Sequence, residues 1–147
     1  MKNIILVIKN MVFALCCLLP LSACTGDDDS NKTCDENAVV DAALFANAPS
    51  EQVTINDVKI NGNCLQINFS ASGCSGNRWE FTLIDSENIQ EGSPAIRTLR
   101  LSFKSNEDCL AFLTREVSFD IQSLQIRGSN RVMLKIANND SQILYDY

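Results

Sequence analysis

Cys64-Leu65-Gln66-Ile67-Asn68-Phe69-Ser70-Ala71 alternates apolar and polar residues without a break. In a β-strand successive side chains point to opposite faces, so this run reads as a strand that turns Leu65, Ile67 and Phe69 toward a core. The same rhythm recurs on both sides of it. Upstream, Val53, Ile55, Val58 and Ile60 suggest a strand with an irregularity at Asn56-Asp57. Downstream, Trp79, Phe81, Leu83 and Asp85 share one face of a third strand, and Leu99, Leu101 and Phe103 alternate with Arg100, Ser102 and Lys104 in a fourth. Val117, Phe119 and Ile121 mark a fifth, Val132, Leu134 and Ile136 a sixth, and Ile143, Tyr145 and Tyr147 a last one. Between them stand Asn61-Gly62-Asn63, Gly128-Ser129-Asn130 and Asn138-Asn139-Asp140. Such residues make turns because they accept positive φ or hydrogen-bond to the nearby backbone. Short alternating strands at regular spacing predict an all-β fold, an antiparallel immunoglobulin-like β-sandwich of about seven strands. One short N-terminal helix is expected over residues 36–46, with Asp35 as N-cap and Pro49 as its stop. A second helical turn is expected near Glu107.

The first 23 residues follow a different pattern. Lys2 and Lys9 supply positive charge, and residues 4–8 and 11–19 are apolar. A bilayer-spanning helix needs about 20 continuous apolar residues, more than are present here, but an export signal needs fewer. Leu21-Ser22-Ala23-Cys24 resembles the lipobox of bacterial lipoproteins. The resemblance implies that residues 1–23 are a signal peptide, that Cys24 receives a diacylglycerol, and that the new N-terminus is acylated. The lipid bilayer would then be a partner of this chain: each buried methylene contributes roughly 0.8 kcal/mol, so two or three acyl chains hold a protein where one does not.

Residues 24–33 read as a flexible acidic tether, because low hydrophobicity and clustered like charge cannot support a core. Asp27-Asp28-Asp29 lacks the glycine-centred loop of a calcium site. An acidic run directly after the lipidated cysteine resembles the surface-export signal of Bacteroidota lipoproteins. That likeness implies an outer-membrane protein with its domain outside the cell, a periplasm-facing domain being the alternative.

Without the leader 124 of the 147 residues remain, the size of one domain, predicted as a disulfide-linked sandwich over residues 34–147. Losing Lys2 and Lys9 takes the 12 basic residues to 10 against 18 acidic, a formal charge of −8. That charge argues against nucleic acid as a partner, since such binding needs a basic footprint. Arg97, Arg100 and Lys104 are the nearest approach to one, and strand alternation accounts for them as solvated side chains.

Of seven cysteines, Cys16 and Cys17 leave with the signal peptide and Cys24 carries lipid. Cys34, Cys64, Cys74 and Cys109 form an even set in an exported chain, which reads as two disulfides. A four-thiolate zinc site is the rival, but no C-x-x-C pair is present. Cys64 and Cys74 stand near opposite ends of one strand, and at about 3.3 Å per residue they lie much farther apart than the roughly 7 Å that a disulfide allows between Cα atoms. The strand after Cys74 turns through Ser75-Gly76-Asn77 and returns, and the next brings Cys109 back to the Cys74 end. The pairing predicted is Cys74–Cys109 and Cys34–Cys64.

The chain contains no histidine. This removes the commonest general base, the usual zinc ligand and every Ser-His or Cys-His nucleophile. Gly73-Cys74-Ser75-Gly76 looks like part of a nucleophile elbow, but lacks its G-x-S-x-G spacing and reads as a turn. No cofactor fingerprint, catalytic motif or metal motif appears. Trp79, Phe81, Phe103 and Phe119 alternate with polar neighbours as core residues do; Tyr145 and Tyr147 are the aromatic pair that an exposed binding face would use.

Ser72-Gly73-Cys74-Ser75-Gly76-Asn77-Arg78-Trp79 and Glu107-Asp108-Cys109-Leu110-Ala111, with Cys64-Leu65, Arg97-Thr98-Leu99-Arg100-Leu101, Ser118-Phe119-Asp120 and the Leu144-Tyr145-Asp146-Tyr147 end, resemble the small cell-envelope lipoproteins of Bacteroidota. The resemblance spans most of the mature chain and implies an exported, disulfide-linked β domain; it brings no activity. The expected function is a non-catalytic structural or binding module for an envelope protein or a glycan. A glycan- or peptide-binding accessory of an outer-membrane uptake system is the alternative. A hydrolase using Asp85 with Glu87 is a third reading, which requires both carboxylates to converge in a pocket.

Overall fold

The computed structural model describes residues 33–147. The expected signal peptide, the expected lipidation site Cys24 and nearly all of the expected tether lie outside the described residues. The elements are β1 (Glu36–Asn37), β2 (Val39–Val40), helix α1 (Ala42–Asn47), β3 (Thr54–Asn61), β4 (Cys64–Gly73), β5 (Trp79–Gln90), β6 (Ile96–Ser105), β7 (Ala111–Asp120), a 3₁₀ turn (Gln122–Leu124), β8 (Arg131–Ile136) and β9 (Gln142–Asp146). They form two sheets, β1-β7-β4-β3 and β2-β5-β6-β8-β9. This is the sandwich that the alternation predicts.

The run that opens the sequence reading is the centre of the first sheet. β4 pairs with β3 on one side and with β7 over ten residues on the other, from Cys64↔Asp120 to Gly73↔Ala111. The irregularity at Asn56-Asp57 is a bulge between Ile55 and Asp57 in the β3 ladder, which keeps Ile55, Val58 and Ile60 opposite Phe69, Ile67 and Leu65. Leu65, Ile67 and Phe69 are fully buried against Leu83, Leu99, Leu101 and Phe103 of the facing sheet. Phe69 packs on Trp79, Phe81 and Phe103 at centroid distances of 5.9, 5.6 and 6.0 Å. Burying each such side chain contributes about 1.5–3 kcal/mol.

Three pairings are parallel: β1 with β7, β2 with β5, and β6 with β8. They arise where the chain crosses between sheets. β8 reaches β6 only after β7 and the 3₁₀ turn, and a parallel neighbour needs such a long connection.

The N-terminal helix starts later than the sequence suggests. Residues 36–40 instead form β1 and β2, one on each sheet, with Ala38 turned into the core between them. β-Branched Val39-Val40 suits a strand, and tertiary pairing overrides the helical spacing. Asp35 does not cap: its carboxylate accepts from the N–H and hydroxyl of Ser118 at 2.8 and 2.6 Å, and its N–H donates to that hydroxyl. The N-cap of α1 is Asp41, whose Oδ1 accepts from Leu44 N–H at 2.7 Å. Ala48, held extended by the following Pro49, ends the helix.

β6 has a complete ladder although β8 pairs with only its first four residues. Beyond Leu99, the Asn138 carboxamide accepts from Leu101 N–H and donates to Leu101 C=O, at 2.8 and 3.1 Å, as a strand residue would. Phe103 then exchanges hydrogen bonds with Pro49 C=O and Glu51 N–H. The Glu51 carboxylate takes Ser105 N–H.

Candidate functional site

The two connections that leave β4 and β6 meet at one end of the sandwich. Residues 74–78 lead from β4 to β5, and residues 106–110 from β6 to β7. Cys74–Cys109 joins them, with Cα atoms 4.8 Å apart. Cys34–Cys64, with Cα atoms 5.6 Å apart, joins the entering chain to the opposite end of β4. These are the two pairings the strand order predicts, and with these four sulfurs bonded none of them is a thiolate available to zinc.

The expected helical turn at Glu107 does not form. Its carboxylate instead accepts the N–H groups of Cys74, Ser75, Gly76 and Arg78, at 2.6 to 3.2 Å, and the Ser75 hydroxyl. Successive amides that converge in this way form a concave anion site, and Gly76 at φ +75° supplies the left-handed bend it needs. The amides, Gly76 foremost, pull the Glu107 carboxyl down to about 2, against a smaller opposing effect of burial. Gly73 is required for the approach: a Cβ there would stand 2.5 Å from Glu107 Oε2 and 2.6 Å from Trp79 Nε1. The run 73–76 is therefore a turn that grips an internal carboxylate, and the Ser75 hydroxyl donates to that same Glu107 carboxylate, itself tied to four backbone N–H groups.

Against this fastened corner lies an open recess of about 340 Å³, lined in part by Glu51, Ser72, Phe103, Asp108 and Leu110. Leu110 is 92% exposed and Phe112, opposite Ser72 on the outer face of the first sheet, is 67% exposed. Among the described residues they are the two most exposed large apolar side chains. The sequence reading passed over both, yet the signal was present. Extending the Val117-Phe119 alternation backward puts Leu113 inside and Phe112 outside, with Thr114, Glu116 and Ser118.

The other residues singled out from sequence serve the fold. Asp85 is fully buried, and Arg97 Nη1 donates to its Oδ1 at 2.6 Å. Glu87 N–H donates to the same oxygen, while the Glu87 side chain faces solvent at φ +60°. Burial pushes the Asp85 carboxyl above the ordinary range, outweighing the pull of Arg97. The two carboxylates do not converge. Nor do the three basic residues share a face. Arg97 points inward with Leu99 and Leu101, whereas Arg100 points outward and donates to the carbonyls of Leu44, Phe45, Ala48 and Pro49, satisfying the end of α1. Tyr145 is fully buried, its hydroxyl donating to Asn63 Oδ1 at 2.6 Å and accepting from Gln125. The Tyr147 hydroxyl accepts from Ile126 N–H. Neither tyrosine forms a platform.

No family model and no curated protein matches the sequence. Several solved structures share the fold, two of them as follows. One is a protein of unknown function from Bacteroides vulgatus, 15% identical, with a TM-score of 0.54 over 76% of this chain and 56% of that one. The other is a NigD-like immunity protein from Bacteroides caccae, 7% identical, with a TM-score of 0.54 over 74% of this chain and 58% of that one. The chain thus spans less than two thirds of the length of either. At these identities the likeness is one of fold alone.

Proposed function

We propose that this chain is an outer-membrane lipoprotein, held by acylated Cys24, whose sandwich is a non-catalytic module that binds another envelope protein through the Leu110–Phe112 corner. The exposure of that apolar pair on a corner fastened by a disulfide and a four-amide carboxylate clamp carries the reading. Two strongly exposed large apolar side chains two residues apart, one of them lining a recess, are the kind of surface at which partners bind, and a rigid support lowers the ordering cost of binding. A protein partner fits better than a glycan, because Phe112 is the one exposed aromatic among the described residues and both C-terminal tyrosines are engaged in the fold.

The lipobox and the acidic run after it support the membrane placement and the outward-facing domain. The chain enters the sandwich at Cys34–Cys64, the end of β4 opposite the corner. The pairing of Asp85 with Arg97, and the outward turn of Glu87, support a non-catalytic module over a carboxylate hydrolase.

Photocrosslinking in intact cells tests this, with the full tagged chain carrying the crosslinker at position 112 or, as control, at Asn61. One envelope protein should be captured at position 112 and not at 61, and Leu110→Ser with Phe112→Ser should abolish the capture. Cys24→Ala should move the protein to the soluble fraction. Equal capture at both positions, or membrane retention of Cys24→Ala, would overturn the reading.

A further inference from the structure

β7 is an edge strand for most of its length. β1 pairs only with Phe119 and Asp120, and Asp35 takes Ser118 N–H with its side chain. Ala38 N–H donates to Asp120 C=O, so residues 118 and 120 direct their backbone groups to the β1 side. Since direction alternates along a strand, Phe112, Thr114 and Glu116 direct theirs the same way, away from β4. Among the described residues nothing pairs with them there. Natural edges are blunted by proline, lysine, bulges or inward-pointing charge. Residues 111–116 contain no proline and no lysine, and they pair with β4 without a bulge. Arg115 does point inward, but its guanidinium is already spent on Gly76 C=O at 3.1 Å and on the face of Phe81.

Side chains flanking this edge carry a definite character. Phe112, Thr114 and Glu116 line its outer side, Leu110 precedes it, and Asp108 and Glu51 border the adjoining recess. We infer that the β7 edge takes up an extended segment of the partner protein as an added strand, apolar opposite Phe112 and basic opposite Glu116 and Asp108. This deepens the corner-binding reading and rests on it. A second copy fits poorly. The antiparallel register that stacks Phe112 on Phe112 sets Asp108 against Glu116 twice, and the register centred on Thr114 sets Phe112 against Glu116. Like charges opposite one another destabilise a strand pair, and each mature copy already carries −8. A segment with an apolar residue opposite Phe112 and a basic one opposite Glu116, four positions apart on one strand face, meets neither obstacle, and main-chain hydrogen bonds with alternate side-chain pockets are how strand addition recognises its ligand.

Amide hydrogen exchange on the lipidated full chain in nanodiscs tests the inference. The probes are the synthetic seven-residue peptide Lys-Thr-Thr-Thr-Val-Thr-Val, which sets lysine opposite Glu116 and valine opposite Phe112 on one strand face, the same with glutamate for lysine, and the lysine peptide N-methylated at alternate residues. The lysine peptide should slow exchange at Phe112, Thr114 and Glu116 by on the order of tenfold or more. The glutamate and N-methylated peptides should not, and Thr114→Pro should remove the effect by deleting an outward N–H. Equal protection by either control peptide would overturn the inference, as would concentration-dependent protection without any peptide, which would assign the edge to a second copy. In the cell crosslinking experiment, a partner lost with Phe112→Ser but retained with Thr114→Pro would overturn strand addition while leaving the corner reading intact.

Discussion

Glu107 shows how much one side chain organises at the far end of the sandwich. Its depressed carboxyl, at about 2 against an ordinary 4.5, means that the folded chain holds this group ionised over a range in which the unfolded chain protonates it. The stability this supplies is complete above about 4.5 and is lost as pH falls through 2. Glu107→Gln should therefore melt at a lower temperature than the parent at pH 7, and the gap should close as pH falls from 4.5 toward 2. Thermal melts across that range check it; a gap independent of pH would mean that shape rather than charge holds the loop. No sequence pattern reveals this contact, because the amides belong to residues 29 to 33 positions away. Asp85 was legible in part. Alternation places it on the inner face, but only the fold shows that Arg97, two residues before the alternating stretch that was read, turns inward to meet it.

At the scale of elements, strands were readable wherever one face is buried, since burial enforces the period of two. The end of β5 was missed for the same reason: residues 87–90 are exposed, so no alternation is imposed on them. The start of β7 was missed although Leu113 keeps the alternation, because residues 114–116 are all exposed. The start of α1 was missed because pairing with two sheets outweighs the weak helical preference of residues 36–41. β6 yields a prediction at this scale. Asn138 stands in for a missing strand beside the buried Leu101, and Asn138→Ala would leave that residue's N–H and C=O unpaired. Each orphaned buried group costs about 1–3 kcal/mol. Urea denaturation should show a loss of that order per group, and Asn138→Asp, which keeps the acceptor and drops the donor, should fall between the parent and Asn138→Ala. An unchanged midpoint for Asn138→Ala would mean that water replaces the carboxamide at no cost.

The whole molecule is fastened at both ends of its central strand. Cys34–Cys64 and Cys74–Cys109 close loops of similar size, with sequence separations of 30 and 35. In the chain-entropy view each contributes about 3–4 kcal/mol by restricting the unfolded state. The β4 residues between them span roughly 30 Å at about 3.3 Å per residue, far beyond the 7–10 Å at which substitutions begin to couple. Their losses should thus add. Removing both would subtract about 6–8 kcal/mol, comparable to the whole stability of a small domain at about 5–15 kcal/mol. Each end also keeps a second fastening when its disulfide is gone: Asp35 on Ser118 at one, Glu107 in its amide cradle at the other. Cys34→Ala with Cys64→Ala, and Cys74→Ala with Cys109→Ala, should each give a folded protein with a lower denaturation midpoint. The fourfold variant should be marginal or unfolded at 37 °C. Hydrogen exchange should separate the ends, faster near residues 33–38 in the first variant and near 106–112 in the second. If loss of the Cys34–Cys64 bond loosened the Leu110–Phe112 corner as well, the two ends would be one cooperative unit, and the corner's rigidity would depend on the side from which the chain enters.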